Sequence, residues 1–335
     1  DLWHGRANLT PRFVRFWNQI LDRMRQRNPD VTLSSYAYGA YREPPPEGLT
    51  LEPGMVLGIV NTYEAYDSWG AWHDTGARMV LRPNWWHMGA TAPHLPLHRA
   101  GAFFRFAQQH SMIGFDFDSL LGYFGTQGPY YYLIARLSVR PELTVDEVLA
   151  EYTSAFGAAA PIIGEYLQFW EDFTTRAAYP VPAGGAVSQD EEGLYERAVR
   201  AHDLPLHPLA GSWRVLPYLY TEEVCGEARN ILDRARSLLA DSASPEALRV
   251  QFLDDGLRHL ERTRDVIDLA YAEKSRNDAE QEDFRRRVAQ LVRWRVELTR
   301  RHVIWDDVVH STTSRRGIRT APEDFELSDV DLEGL

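Results

Sequence analysis

The chain has 335 residues and the composition of an ordinary folded protein, 44% hydrophobic and 12% aromatic, with ample length for a sizeable core and a prior of about two domains. Its 36 Lys and Arg stand against 48 Asp and Glu, a formal net charge of −12, which argues against nucleic acid or an anionic membrane as partner because phosphate binding needs clustered cations. No run is apolar enough to span a bilayer. The lone Cys225 excludes an intramolecular disulfide and a cysteine-based metal site.

Asp1 to Asn8 reads as a loop, and the chain starts as if in the middle of something larger. Thr10-Pro11 then opens a helix, with Thr10 as N-cap and Pro11 in the first turn. Phe13, Phe16, Trp17, Ile20, Leu21 and Met24 recur at three- and four-residue intervals to about Arg27, and Asn28-Pro29-Asp30 stops the pattern. Val31 to Tyr38 predicts a strand with Tyr36 and Tyr38 on one face, leading to Tyr41, Arg42 and a Pro-rich loop. Met55 to Asn61 predicts a second strand, running into Tyr63, Glu64 and an aromatic stretch with Trp69 and Trp72. Arg78 to Pro83 predicts a third, opening into Asn84-Trp85-Trp86-His87. Helical spacing follows from His98 to Gln109. Met112, Ile113, Phe115 and Phe117 mark a fourth strand. Alternation sends the two phenylalanines to one face and Asp116 with Asp118 to the other. Gln127 and Tyr130 lie in the segment that comes next.

Four strand-then-connection units within about 140 residues predict a parallel sheet with helices outside it. Each strand ends in a polar-aromatic cluster, the layout of a (β/α)8 barrel whose C-terminal rim binds a ligand. Four strands alone leave two raw edges, so four further units are expected before Asp1 or from another chain. Beyond Thr144, which with Glu147 forms a capping-box pattern, helices are expected at about 144–156, 159–178, 189–202, 221–241, 245–274 and 277–308. Their apolar stripes predict an antiparallel bundle. The chain thus divides into a partial barrel (1–140), an all-α region (141–310) and a polar tail (311–335).

The phrases "AYGAYREPP", "LRPNWWHMG" and "GFDFDSLLGYFGTQGPYYYLIARL", in this order, resemble a bacterial glycoside-hydrolase-like family known as domain of unknown function 4838. That family is in turn similar to the barrels of α-glucuronidases and β-hexosaminidases. The resemblance covers about residues 10–180. It implies an α/β fold, the C-terminal half of a (β/α)8 TIM-type barrel followed by a helical bundle, with the first barrel half upstream. It implies action on, or binding of, a polysaccharide or oligosaccharide, with uronic-acid or hexosamine units among the candidates. Tyr38, Tyr41, Arg42, Asn84, Trp85, His87, Asp116, Asp118, Gln127 and Tyr130 match its motifs. In related glycosidases the general acid commonly sits at the end of the fourth strand, which would fall before Asp1.

Glycoside hydrolysis ordinarily needs two carboxyl groups flanking the scissile bond. Asp116, Asp118 and Glu64 are the candidates at strand ends, with a surface role as the alternative for Glu64. Asp116 and Asp118 are about 7 Å apart by strand rise, close enough to bracket a water or to hold one sugar. Arg42 is the candidate clamp for a uronate carboxylate, against a salt bridge to Glu43 or Asp118. Trp69, Trp72, Trp85 and Trp86 are candidate stacking platforms for sugar rings; one of Trp85 and Trp86 should face the site and the other the core. His87, His94 and His98 beside Asp116 raise a metal-dependent hydrolase, a weaker reading because His94 and His98 flank Pro96. His87 reads better as a hydrogen-bond donor to substrate or a satisfied core residue. No cofactor is implied. The expected partner is a carbohydrate, and a barrel fragment that binds sugar without cleaving it is the alternative to a hydrolase.

Overall fold

A computed structural model describes residues 2–3, 6–87, 91–118, 120–179, 193–204, 213–271 and 277–305. The expected tail at 311–335 lies outside the described residues. The first residues carry more structure than the loop expected there: Leu2–Trp3 (β1) pairs antiparallel with Arg6–Ala7 (β2). Helix α1, Thr10–Arg25, buries Val14, Trp17 and Leu21, the stripe set by its three- and four-residue spacing. Thr10 is not its N-cap but its first residue. The hydroxyl instead donates to the Glu43 carbonyl at 2.7 Å, while Asn8 Oδ1 accepts the Thr10 N–H at 3.0 Å. A long-range acceptor has taken the side chain that a local cap would use.

Four strands, β3 (Leu33–Ala37), β4 (Met55–Ile59), β5 (Arg78–Leu81) and β6 (Met112–Phe115), form one parallel sheet in sequence order. Helices α2 (Tyr66–His73) and α3 (Leu97–Gln109) make the second and third connections. Alternation sorts the two faces. Ala37, Leu57, Ile59, Met79 and Leu81 join one core with Trp69, Trp72, Phe103 and Phe104 of those helices. Trp69 and Trp72 are fully buried. Their indole N–H groups donate to the carbonyls of His110 and Arg42, each at 2.9 Å. Both are therefore core residues rather than sugar platforms, because α2 turns their shared face onto the sheet.

Among the described residues the opposite face is left open. Ser34, Tyr36, Val80, Arg82 and Asp116 line a shallow cleft there. Parallel sheets ordinarily have both faces covered, yet among the described residues no strand pairs with the outer edge of β3 or β6. At the β6 edge, Ile113 and Phe115 remain 50% and 43% exposed.

Helix α4 (Phe124–Val139) leads into α5 (Val145–Ser154), whose capping box is formed as expected. Thr144 Oγ1 accepts the Glu147 N–H, and the Glu147 carboxylate accepts the Thr144 N–H. There follow α6 (Ala160–Ala177), α7 (Leu194–Ala201), a single turn at Leu216–Leu219, α8 (Glu222–Ser237), α9 (Pro245–Tyr271) and α10 (Asp278–Arg300). Residues 189–192 of the expected helix before α7 lie outside the described residues. Helix α9 meets α4 backbone to backbone: a Cβ on Gly256 would come within 2.5 Å of the Gly125 carbonyl carbon. One apolar core runs unbroken from Val14 to Ile304 across both parts of the chain. A buried polar chain crosses the same junction. Arg295 Nε donates to His259 Nε2 at 3.0 Å, so Nδ1 holds the imidazole proton and donates to Thr91 Oγ1 at 2.6 Å. Burial and the neighbouring Arg295 charge hold His259 neutral. No described helix is long and apolar enough to cross a membrane.

Candidate functional site

The parallel ladder brings the carboxyl ends of the strands to one level. Val60 N–H bonds to the Ala37 carbonyl, Arg82 N–H to Ile59 and Asp116 N–H to Leu81. Asp118 N–H bonds on to Pro83 at 3.2 Å, so the ladder extends past β6 and keeps both aspartates in register. On the open face the register places Tyr36, Gly58, Val80 and Gly114 in one row. Two residues further along each strand come Arg82 and Asp116. Gly58 makes the floor shallow: a Cβ there would lie 2.6 Å from Tyr36 Cδ1, so the Tyr36 ring lies across the bare backbone. Arg82 in turn stacks on that ring at 5.1 Å.

Around this floor the charges are unevenly committed. Asp118 is held from two sides, by Arg82 Nη2 at 3.2 Å and His87 Nε2 at 3.4 Å. Arg82 Nη1 also donates to Asn84 Oδ1 at 2.9 Å. Asp116 is exposed and lines the cleft with Arg82 and Tyr36, and its carboxylate forms no ion pair or hydrogen bond among the described residues. At the end of β4, Asn61 is buried with both amide atoms unpaired, an unusual state for a buried polar group. The strand ends therefore offer one uncommitted carboxylate and one pinned carboxylate. A guanidinium, an imidazole and an aromatic face open to solvent complete the set.

Of the residues singled out in the sequence, Asp116, Asp118, Asn84 and His87 gather here. Phe115 and Phe117 turn to the helix side as alternation requires, both against Phe104 of α3. Tyr38 is exposed at the end of β3. Tyr41 stacks on Phe13 of α1 with centroids 4.0 Å apart. Arg42 takes the alternative weighed for it and pairs with Glu43 at 2.8 Å. Glu64 pairs with Arg99. Trp85 is in the core, its indole N–H on the Asn61 carbonyl at 3.0 Å. Trp86 stacks on Phe117 at 4.3 Å. Tyr130 is buried in the core, and Gln127 is buried with its amide nitrogen 3.4 Å from the Ala92 carbonyl. The three histidines of the metal reading go to different places. His87 faces Asp118. His94 packs edge-on against Tyr179, its pKa pushed down to about 3 by burial. His98 sits between Glu171 and Asp146. Among the described residues no three His, Cys, Asp or Glu side chains converge as metal ligands.

Arg82, Tyr36, Ser34 and Asn61 are the site residues that motif reading missed. Parity could have found the first two. Arg82 directly follows the inward Leu81, as Tyr36 directly precedes the inward Ala37.

Fold and site together define a chain that joins a one-sided parallel βα sheet, polar at its strand ends, to a helical bundle. Residues 4–168 match the family described as Domain of unknown function (DUF4838). No curated protein and no solved structure matches the chain.

Proposed function

We propose that this chain contributes the C-terminal half of a (β/α)8-type barrel and that its strand ends bind a carbohydrate, as part of a glycoside-hydrolase-like protein. The observation that carries this is the uncommitted Asp116 carboxylate on an open sheet face, beside a pinned Asp118, Arg82 and the exposed Tyr36 ring. A hydroxyl-rich ligand uses each of these groups. The aromatic face takes the C–H side of a sugar ring, and the carboxylate accepts from hydroxyls. The guanidinium suits a uronate carboxylate or a ring oxygen. The open face and unpaired edges support a closed barrel in the whole assembly, since four more parallel strands would cover both. In a cleavage step Asp116 is the candidate base or nucleophile. Asp118 is the positioning residue, its charge already paired with Arg82 and its second oxygen facing the His87 imidazole.

A second reading, sugar binding without cleavage, is favoured by one observation. Hydrolysis needs two working carboxyl groups, and Glu64 is occupied by Arg99 while Asp118 is occupied by Arg82 and His87. Calorimetric titration with neutral and uronate-containing oligosaccharides, with released reducing ends assayed in parallel, separates the two. Binding that weakens at least tenfold in Asp116→Asn is expected under both readings; reducing-end release lost in that variant selects the first. No binding to any member of the panel overturns both.

A further inference from the structure

After α10 the chain returns from the helical bundle to the rim of the sheet. Arg301 Nη1 pairs with Asp255 of α9 at 2.5 Å, and His302 takes a left-handed backbone with φ 58°. That reversal lays residues 303–305 against the segment that joins β6 to α4. Gly125 N–H donates to the Val303 carbonyl, and Trp305 N–H donates to the Gly122 carbonyl, each at 2.8 Å. Gly122 permits the close approach: its φ is +73°, and a Cβ there would lie 2.7 Å from Trp305 Cβ. Val303 and Ile304 are buried, whereas Trp305 is 48% exposed.

A single exposed aromatic is ordinary on a protein surface. This one differs in where it is and how it is held. Trp17, Trp69, Trp72, Trp85, Trp170 and Trp213 are all buried, while the Trp305 indole is left in water. Its backbone is tied to the loop that leaves Asp118, and along that path Asp116, Leu120 and Trp305 are exposed in turn. Four chain steps separate Asp118 from Gly122, which limits their Cα separation to about 14 Å. A short oligosaccharide covers that distance, and a single sugar ring does not.

We propose that Trp305 is an outer platform of the strand-end site, stacking on a sugar unit beyond the one held at Asp116. The helical bundle then supplies part of the carbohydrate surface. This rests on the carbohydrate reading of the strand ends and adds to it a preference for longer ligands. An indole face takes the C–H side of a sugar ring. Because backbone bonds already fix the segment, stacking there costs little further ordering.

Calorimetric titration of the full-length chain with oligogalacturonides and cello-oligosaccharides, disaccharide against hexasaccharide, tests this. The parent is expected to bind the hexasaccharide more tightly. Trp305→Ala, checked by circular dichroism for retained helix content, should weaken the hexasaccharide about threefold to tenfold and leave the disaccharide unchanged. Trp305→Phe should keep most of the length advantage. The indole itself gives a second readout: the difference between parent and Trp305→Phe fluorescence should move to shorter wavelength with hexasaccharide and not with disaccharide. An equal effect of Trp305→Ala on both lengths, or none on either, overturns the proposal, as does a fluorescence difference that no sugar moves. If Asp116→Asn still weakens binding in those cases, the strand-end reading stands and only the platform falls. Failure of every probe to bind the parent overturns both.

Discussion

Gly58→Ala separates the integrity of the sheet from the integrity of the site. The new Cβ would stand 2.6 Å and 2.8 Å from Tyr36 Cδ1 and Cε1. Carbon atoms pack at about 3.5–4 Å, so the ring must shift by roughly 1 Å. Tyr36 is 47% exposed, so it moves toward solvent at little cost. The Arg82 contact with the ring at 5.1 Å is then loosened, a loss of about 0.5–1 kcal/mol for an exposed cation–π pair. Replacing glycine inside a strand returns about 0.5–1 kcal/mol of backbone entropy. The two nearly cancel, so stability by urea unfolding should stay within about 1 kcal/mol of the parent. Ligand binding should not stay the same. Losing an oriented aromatic platform is worth about 0.5–1.5 kcal/mol, roughly a threefold to tenfold weaker dissociation constant for oligosaccharide by calorimetry. Unchanged affinity with unchanged stability would refute the placement of Tyr36 in the site. A stability loss beyond about 3 kcal/mol would mean that Gly58 serves the core instead.

Gly256→Ala should behave in the opposite way, because its Cβ would meet Gly125 backbone atoms at 2.5–2.8 Å and neither helix can yield; chemical denaturation should show a loss of about 2–3 kcal/mol. Gly226 in α8 has open space around it, so Gly226→Ala should stabilise by about 0.5–1 kcal/mol; a loss there would contradict the packing of α8. His98 at the start of α3 faces Glu171 Oε2 through Nδ1 at 2.7 Å and Asp146 Oδ1 through Nε2 at 2.9 Å. Only the imidazolium donates at both nitrogens. Burial acts to lower its pKa, but the hydrogen bonds and charges of Asp146 and Glu171 outweigh it and leave the value above 6.5. A raised folded pKa gives stability that is fully present below the unfolded value and is lost as pH rises through the folded one. His98→Gln should therefore cost most near about pH 6 and least near about pH 9; a pH-independent difference would contradict the latch between α3, α5 and α6.

Most of the elements were readable because their burial is one-sided. Strands β3, β5 and β6 alternate, β4 is a short continuous apolar run, and α1 carries a clear three- and four-residue stripe, so these patterns place them. The Thr144–Glu147 capping box is a purely local device and stands where its spacing put it. Helix α2 was less legible. Tyr66–His73 is too short to show a face, with Asp67, Ser68 and His73 set among its aromatic residues, and its two tryptophans passed for ligand platforms. The site was half legible for a similar reason. Alternation sorted Asp116 and Asp118 from Phe115 and Phe117. Pairing across the chain cannot be read from spacing, so nothing in sequence revealed that Arg82 and His87 hold Asp118 or that Arg99 holds Glu64. Nor could composition distinguish two buried residues of α4, Gln127 beside the Ala92 carbonyl and Tyr130 against Trp86, from polar groups waiting on a ligand.

Hydrogen exchange on the full-length chain, with and without a saturating uronate-containing oligosaccharide, tests the central claim most directly. The account predicts slowed exchange at the strand ends, in Tyr36–Tyr38, Arg82–His87 and Asp116–Asp118, with the α6–α8 helices unchanged. Protection confined to the α6–α8 helices, with the strand ends unaffected by bound sugar, would contradict it.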